Sequence, residues 1–456
     1  MKGEAPGFGR RRLPMRFSKL SSAVALALGL SACGGTAAPE EAALNGVLIS
    51  LDTLRADHMG LHGYRRDTTP FLDELAQQSR WFHSAYATSA WTLISHASML
   101  SGLEPELHGV VHGEAALPRR MPLLAEQLEA AGVQTFATYF PGWIGPERGF
   151  DRGFQRFEPA LDAAGAEEQW RAFLAERDPL RPSFLFIHLF DIHTGNLERR
   201  RGPIYQTPKP YDDLFVEGAA AWFETSNPKR VWEQREELSE AQLRAMVALY
   251  DGGVRYVDDQ LRRWFDEWRA SGFLDRALVV VTGDHGEGLG TRDRVINNHG
   301  GFWQEGLRIP LIVHRTYGAE DYRGAIETQV SLIDVAPTFL AAFGAEDARP
   351  GNGVDLLGAI PGERVVGALQ EEQHARIRGV SKMIRNGGGS TLYHLVDDPL
   401  ELNPIRDKGA AHELYGRDLE ADFQAQLARY GEPHAPETIA RSAEDRAHLE
   451  SLGYTE

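Results

Sequence analysis

The residue best placed to act as a nucleophile in this sequence is Thr92, near the start of the segment Trp91–Gly102 (WTLISHASMLSG). The apolar residues after it recur at roughly helical spacing, so we expect a loop that turns into a helix just after Thr92. A hydroxyl at a helix start lies near unpaired backbone N–H groups and the positive end of the helix dipole, where an anion is stabilised. A simple helix cap would also place a threonine there, so the assignment depends on the rest of the chain.

Acids and imidazoles follow three short apolar runs that read as buried strands. They are Asp52, the pair Asp191 and His193, the pair Asp284 and His285, and then His299 in NNHGG. Because the carboxyl ends of parallel strands meet at one edge of a sheet, we expect these side chains to converge with Thr92. Asp, His and a hydroxyl together suit a divalent metal ion. The alternative is that each Asp caps a helix and each His is a satisfied surface group.

The elements that must position these residues alternate along the chain. Strands are predicted at 46–52, 133–139, 183–189, 278–282 and 311–313, and helices at 70–81, 123–131, 167–176, 239–271 and 332–343. This alternation predicts an α/β fold, a mainly parallel sheet flanked by helices, over 46–345. Beyond it, 346–456 reads as a small C-terminal α+β subdomain with a strand at 391–396 and a helix at 414–430. The irregular stretch 196–230 reads as an insertion near the site.

Composition excludes some partners. The chain has 456 residues, of which 25% are charged and 42% hydrophobic, and its formal net charge is -17. Such an acidic chain is unsuited to nucleic acid, because phosphates repel it. Binding of any anionic substrate would then depend on local positive charge, such as that of a metal ion.

The first 33 residues are typical of bacterial export. A basic start is followed by a short apolar run, Ala23–Leu30, and then by Leu-Ser-Ala-Cys, which resembles a lipobox. We expect lipidation of Cys33, a tether over 34–45, and a lipid-anchored protein of the cell envelope that faces the periplasm or lies on the outer membrane. The alternative is a signal peptide with an incidental cysteine. Since Cys33 is the only cysteine, disulfides and thiol catalysis are not expected.

Several segments in order resemble the sulfatase family of the alkaline phosphatase superfamily. They are SLDTLRADHMGLHGY, WTLISHASMLSG, FDRGF, HLFDIH, YDGGVRYVD, GDHGEGLG, HGGFWQEGLRIPLIV and YHLVDDPLELN, spanning Gly46 to Asn403. The resemblance implies the family's fold and a metal-dependent hydrolase of sulfate or phosphate esters. Its substrate would be an anionic ester, with a glycan or a lipid head group among the candidates.

The resemblance also implies roles for individual residues. Metal ligands would be Asp52, Thr92, Asp284 and His285, for one divalent ion (Ca²⁺, Zn²⁺ or Mn²⁺), and whether a second ion binds stays open. His193 and His299 would contact the transferred group or protonate the leaving oxygen. His96 replaces the Arg of the family's nucleophile motif and would also be catalytic. Thr53 replaces the second acid of the usual Asp pair. The usual Lys and His before GFDRGF are missing, and residues 140–143 read FPGW instead.

Thr92 is the main departure from the family pattern. Sulfatases carry a Cys or Ser there, which is oxidised to formylglycine, but the Cβ methyl of threonine closes that route. This resembles a threonine-bearing branch of the family. A metal-bound threonine alkoxide can attack phosphorus directly, whereas a sulfated threonine has no aldehyde-forming exit. The chemistry of Thr92 therefore favours a phosphodiester.

Two alternatives stay open. One is a transferase that moves a phospho-alcohol group to an envelope glycan or lipid. The other is a non-catalytic binding protein on the sulfatase scaffold, favoured by Thr53, Ile94 and the missing Lys but opposed by the intact Asp52, Asp284 and His285.

Overall fold

A computed structural model describes residues 42–194, 204–223, 231, 234–292, 301–319, 322–348, 351–362, 364–387, 389–405 and 410–439, with the backbone alone over 410–418. Cys33, His299, most of the tether and parts of the 196–230 insertion lie outside the described residues. The strands are β1 Asn45–Leu51, β2 Arg80–Phe82, β3 Ala85–Tyr86, β4 Ala115–Ala116, β5 Gln134–Tyr139, β6 Arg156–Pro159, β7 Ser183–Leu189, β8 Ala277–Gly283, β9 Arg308–Ile309, β10 Leu311–Arg315, β11 Gly324–Ile326, β12 Val330–Ser331, β13 Val366–Gln370, β14 Gln373–Arg378, β15 Ser381–Asn386, β16 Gly389–His394 and β17 Glu437–Thr438.

The helices of the described part are α1 Pro70–Gln77, α2 Thr92–Ser101, α3 Pro105–His108, α4 Leu124–Ala130, α5 Ala163–Glu176, α6 Glu240–Ala270, α7 Gln304–Leu307, α8 Val335–Phe343 and α9 Ala410–Leu427. The longest, α6, begins with a capping box in which the Ser239 hydroxyl accepts from the N–H of Gln242. None of the helices in this part of the chain combines the length and the apolar character needed to cross a bilayer.

An eight-stranded sheet organises these elements, in the order β11-β2-β10-β8-β1-β7-β5-β6. Its centre is parallel, since β1 pairs in parallel with both β7 and β8, and β5 with β7 and β6. Only β10 runs antiparallel to its neighbours β8 and β2 within this sheet. The predicted α/β fold with a mainly parallel sheet is therefore confirmed.

Both faces of the central strands are buried, which explains why their sequences are continuous apolar runs. All seven residues of β1 are buried. Leu48 belongs to the core on one face, whereas Val47 and Ile49 belong to the core on the other. Helices α2, α4 and α8 contribute to the first core, and α1, α5 and α6 to the second. The sheet is thus fixed between two helical layers.

Several boundaries differ from the sequence prediction, and α5, for example, begins at Ala163 rather than at 167. The helix predicted over 70–81 ends at Gln77, and Trp81 lies in β2, where it pairs with Ile312 of β10. A β-branched or aromatic residue that continues helical spacing can equally fit a strand, so periodicity alone misplaced this end. The helix predicted over 332–343 begins as a 3₁₀ turn, Leu332–Asp334, before α8.

The C-terminal part contains a four-stranded antiparallel sheet, in the order β13-β14-β15-β16. The sequence predicted only its last strand, placed at 391–396 and observed at Gly389–His394. The division of the chain at 345 stays a prediction.

Candidate active site

Two adjacent strands deliver the acids of the site to one edge of the sheet. Asp52 follows β1 directly, and Asp284 and His285 follow β8, which lies beside β1. Thr92 is the first residue of α2, so its hydroxyl stands at the helix start that the sequence predicted. Asp52, Asp284 and His285 are completely buried, and Thr92 is 2% exposed.

Thr92 lies between an acid and an imidazole. Its Oγ1 is 3.3 Å from Asp52 Oδ2 and 3.2 Å from His285 Nε2. One ligand-type atom from each of Asp52, Asp284 and His285 lies within 4.8 Å of the others. The structure therefore brings together all four residues that the sequence singled out as metal ligands.

In each of the two carboxylates, one oxygen is fixed by hydrogen bonds, and the second oxygen has no hydrogen-bond partner among the described residues. Asp284 Oδ1 accepts from the N–H groups of Thr53, at 3.2 Å, and His285, at 2.8 Å. Asp52 Oδ2 is 3.1 Å from His188 Nε2. Asp52 Oδ1 and Asp284 Oδ2 are buried without a hydrogen-bond partner among the described residues. Such acceptors are costly in a dry interior, and a divalent cation would satisfy both.

The tautomer of His285 fits the same cation. Its Nδ1 is 2.8 Å from the carbonyl oxygen of Gly286. A carbonyl only accepts, so Nδ1 carries the proton and Nε2 presents a lone pair. That nitrogen lies 3.8 Å from Asp52 Oδ1 and 3.6 Å from Asp284 Oδ2. A backbone carbonyl that fixes the tautomer in this way is usual for a metal-binding histidine.

The two acids have opposite pKa shifts. Burial raises the pKa of Asp52 well above its usual value, and the charge of Asp284 raises it further. Burial is the largest single effect on Asp284 and acts upward, but His285, His96, His188 and the N–H of Thr53 together outweigh it, so the pKa of Asp284 is lowered. The pair therefore favours a single negative charge until a cation neutralises both groups.

Thr53 supplies its backbone rather than its side chain. Its φ of 59° lies in the left-handed region, which is uncommon for a β-branched residue. This conformation directs its N–H toward Asp284, while its hydroxyl donates to the carbonyl of Asp52 at 2.7 Å. The hydroxyl that replaces the family's second acid is thus turned to the backbone and away from the cation ligands. Strained backbone of this kind is often found at functional sites.

His96 contacts the backbone of Thr92 and not its hydroxyl. Its Nδ1 is 2.8 Å from the Thr92 carbonyl and its Nε2 is 3.0 Å from Ser50 Oγ. Burial, with the neighbouring His188, lowers the pKa of His96 to about 3, so the ring is neutral. This geometry suits a residue that ties the first turn of α2 to β1, and a catalytic role for His96 stays a prediction.

His193 lies in an aromatic column beside the site. Its ring stacks on Phe190 at 3.9 Å, and Phe190 stacks on Phe140 at the same distance. Its Nδ1 contacts the carbonyl of Thr194, and burial keeps its pKa well below the usual value. The neighbouring Asp191 instead accepts from the N–H of Ala163 at the start of α5. A role for His193 toward the leaving group stays a prediction.

Aromatic side chains occupy the place of the missing Lys and His. Trp143 packs edge-on against Trp91, next to Thr92, with ring centroids 4.7 Å apart. Among the described residues, no lysine or arginine forms an ion pair with Asp52 or Asp284. The full positive charge at this site would therefore come from the cation.

Sequence reasoning missed one residue of the site, His188. It lies in β7, is 2% exposed and contacts Asp52. The segment HLFDIH contains it, but its position inside an apolar strand gave no sign that its ring faces Asp52.

A cavity of about 1030 Å³ lies beside the site. Its lining includes Arg55, Arg308, Trp303 and apolar residues of the C-terminal part, such as Val380, but none of the four candidate metal ligands. Arg55 links the two places, because its guanidinium donates to the carbonyl of Glu287 at 2.9 Å, just beyond His285. Arg55 thus connects the lining of the cavity to the segment that follows His285.

Comparison with known proteins agrees with this geometry. Residues 45–345 match the family model described as Sulfatase. The chain is 23% identical to a choline-sulfatase of Rhizobium meliloti over 403 residues, covering 74% of this chain and 77% of that protein. It is 25% identical to the low-salt glycan biosynthesis sulfotransferase Agl7 of Haloferax volcanii, covering 81% and 89%. The crystal structure of a phosphonate monoester hydrolase of Agrobacterium radiobacter superposes with a TM-score of 0.66 at 18% identity, covering 87% and 100%.

Proposed function

The chain belongs to the sulfatase family and is a sulfatase-like hydrolase, and on that premise we propose that it cleaves monoanionic esters, phosphodiesters above all, with Thr92 as the nucleophile. The observation that carries this proposal is the contact of Thr92 Oγ1 with Asp52 and His285, in a site where two buried carboxylates, Asp52 and Asp284, each leave one oxygen without a partner among the described residues.

Asp52, Asp284, His285 and Thr92 would hold one divalent cation. When bound, such an ion acts as a Lewis acid, lowering the pKa of a bound hydroxyl and neutralising charge on the transferred group. Carboxylate oxygens suit Ca²⁺ or Mn²⁺, and the imidazole makes Zn²⁺ or Mn²⁺ suitable. Mn²⁺ accepts both ligand types and is therefore a suitable probe of this site.

Thr92 Oγ1 would give its proton toward Asp52 Oδ2, which lies 3.3 Å away. It would then attack phosphorus and break the bond to one alcohol, whose oxygen would take up a proton from solvent while Asp52 returns its proton to solvent. Water would hydrolyse the resulting ester of Thr92, releasing a phosphate monoester and restoring the hydroxyl. Sulfate esters fit less well, because threonine cannot form the aldehyde that lets sulfatases expel sulfate.

Charge supports a monoanionic substrate. Two carboxylates balance a divalent cation, and burial keeps His96 and His188 neutral, with pKa values of about 3 and about 4. A transferred group with one negative charge would thus leave one charge to be stabilised, whereas a phosphate monoester would leave two. Phosphodiesters, phosphonate monoesters and sulfate esters share this single charge.

The test compares the wild type with three variants on aryl esters in the presence of Ca²⁺, Mn²⁺ or Zn²⁺. Wild type and Thr92→Ser should hydrolyse phenyl p-nitrophenyl phosphate faster than p-nitrophenyl sulfate or p-nitrophenyl phosphate. Thr92→Ala should lose at least about 10³-fold in kcat, since nucleophile removal is severe. Ser95→Ala is the matched control, because this hydroxyl is on the same helix but donates to the Ser89 carbonyl. Wild-type turnover by Thr92→Ala on every ester would rule out the nucleophile.

A transferase is the second candidate, and the similarity to the sulfotransferase Agl7 favours it. In that case an alcohol of an acceptor, rather than water, would resolve the ester of Thr92. A product that forms only with an added glycan or lipid acceptor would identify this activity. Metal binding without turnover of any ester would instead favour the non-catalytic scaffold.

A further inference from the structure

The sheet register places His188 beside the first acid of the site. His188 pairs with Ser50 across the parallel strands β7 and β1. Asp52 lies two residues beyond Ser50, and alternate residues of a strand share a face. The imidazole of His188 and the carboxylate of Asp52 therefore meet on one side of the sheet, with Nε2 3.1 Å from Oδ2.

The direction of this hydrogen bond follows from chemistry. With a cation bound, Asp52 would be ionised, and an ionised carboxylate only accepts, so Nε2 of His188 would then carry the proton. Nδ1 is then a bare lone pair, and it is buried without a hydrogen-bond partner among the described residues. Burial lowers the pKa of His188 to about 4. The ring is thus a neutral donor, held in one tautomer by Asp52.

We propose that His188 is a positioning residue that binds Asp52 Oδ2 from behind and directs Oδ1 toward the cation. Asp284 is held in the same manner by backbone N–H groups, which occupy Oδ1 and leave Oδ2 without a partner. The two carboxylates therefore offer the cation one oxygen each, in a fixed orientation. This inference rests on the cation site of the proposed function, but not on which ester is cleaved.

A rival reading makes His188 a ligand of a second cation, because His96, His188 and Asp284 also lie within ligand distance of one another. His96 argues against it. Its Nδ1 donates to the Thr92 carbonyl, and its Nε2 accepts from the Ser50 hydroxyl. Both nitrogens are engaged, so His96 offers no lone pair to an ion.

The test measures Mn²⁺ binding by isothermal titration calorimetry on the full chain after chelator treatment. His188→Leu removes the donor at similar volume, whereas His188→Gln keeps an N–H near the Nε2 position. We expect His188→Leu to bind Mn²⁺ about 10- to 100-fold more weakly, as for other residues that orient metal ligands. His188→Gln should stay within about threefold of wild type by the same reasoning, and every variant should bind one ion.

The matched control is His314→Leu. Like His188, His314 is a buried imidazole with a polar partner, in this case the hydroxyl of Ser79. It lies on β10 and pairs with Val279, a residue of β8 that precedes Asp284 by five positions. It should bind Mn²⁺ like wild type. Circular dichroism and thermal melting in chelator would show that each variant is folded.

Several outcomes would overturn the inference. Folded His188→Leu with wild-type affinity would show that the contact does not orient Asp52. Equal losses in His188→Leu and His188→Gln would indicate packing alone, and a fall from two bound ions to one would make His188 a ligand. A wild-type chain that binds no Mn²⁺ would overturn both this inference and the cation site. Mn²⁺ binding by wild type with unchanged turnover in Thr92→Ala would refute only the proposed nucleophile.

Discussion

Replacing Asp284 with asparagine should stabilise the metal-free protein while removing its response to metal. A carboxylate oxygen of Asp52 and one of Asp284 lie within 4.8 Å of each other in a fully buried site. At an effective dielectric constant of about 20, two unit charges at that distance repel by about 3 kcal/mol. Proton uptake by Asp52 relieves part of this repulsion, because burial and Asp284 raise its pKa.

The Asp284→Asn variant keeps the local hydrogen bonds. Its amide oxygen can still accept from the N–H groups of Thr53 and His285. Its NH₂ group takes the place of Oδ2 and can donate to Asp52 Oδ1, which has no partner in the described structure. The variant should therefore be about 1 to 3 kcal/mol more stable than wild type in EDTA.

Urea unfolding at pH 7 measures both effects. At a free Mn²⁺ concentration 100 times its Kd, wild type should gain about 2.7 kcal/mol, and Asp284→Asn should gain much less. Asp334→Asn is the control, because Asp334 pairs with Arg364 at 2.8 Å and its loss should cost about 3 to 5 kcal/mol with or without metal. If EDTA leaves wild type unchanged and Asp284→Asn is destabilised in it, the cation site is wrong.

Three further predictions concern other parts of the chain. Lys382→Met should lower the free energy of unfolding, measured in urea, by about 3 to 5 kcal/mol. It leaves the fully buried Glu401 carboxylate, which Lys382 pairs with at 2.7 Å, without a counter-charge. The double change Lys382→Met/Glu401→Leu should lower the free energy of unfolding less. Burial raises the pKa of Glu104 from 4.5 to about 8, and the negative charge of the neighbouring Glu106 contributes to this increase. The folded state then holds a proton that the unfolded chain releases, so stability falls as the pH rises from 4.5 to 8, and Glu104→Gln should flatten that fall. Cys33→Ser should block globomycin-sensitive processing and release the protein from the membrane fraction, and an unchanged fractionation would refute lipidation.

The sequence predicted the central sheet well, because its strands are buried on both faces. The strand predicted at 183–189 is observed with the same bounds, and the helix predicted at 239–271 differs by one residue at each end. Continuous apolar runs and a capping residue are local signals that need no tertiary information. The short strands β13 to β15 carry mixed, half-buried residues, and only their pairing with one another defines them.

The site was predictable in its residues but not in its geometry. Asp52, Thr92, Asp284 and His285 follow from strand ends, a helix start and the family resemblance. The contact of His188 with Asp52 depends on strand register. Register is a long-range property, and no spacing within one segment encodes it.

The departures of this chain from the family pattern offset one another. Thr53 removes one negative charge from the ligand set, and its hydroxyl is turned to the backbone. Trp143 and its neighbours remove the positive charge that the family's Lys would bring, and the described histidines His96 and His188 are neutral. With two carboxylates opposite one divalent ion, the charge balance would be kept although both signs are reduced. Under the proposed function, a site of this balance would suit a substrate with a single negative charge, and Thr92, which cannot form an aldehyde, would favour phosphorus over sulfur.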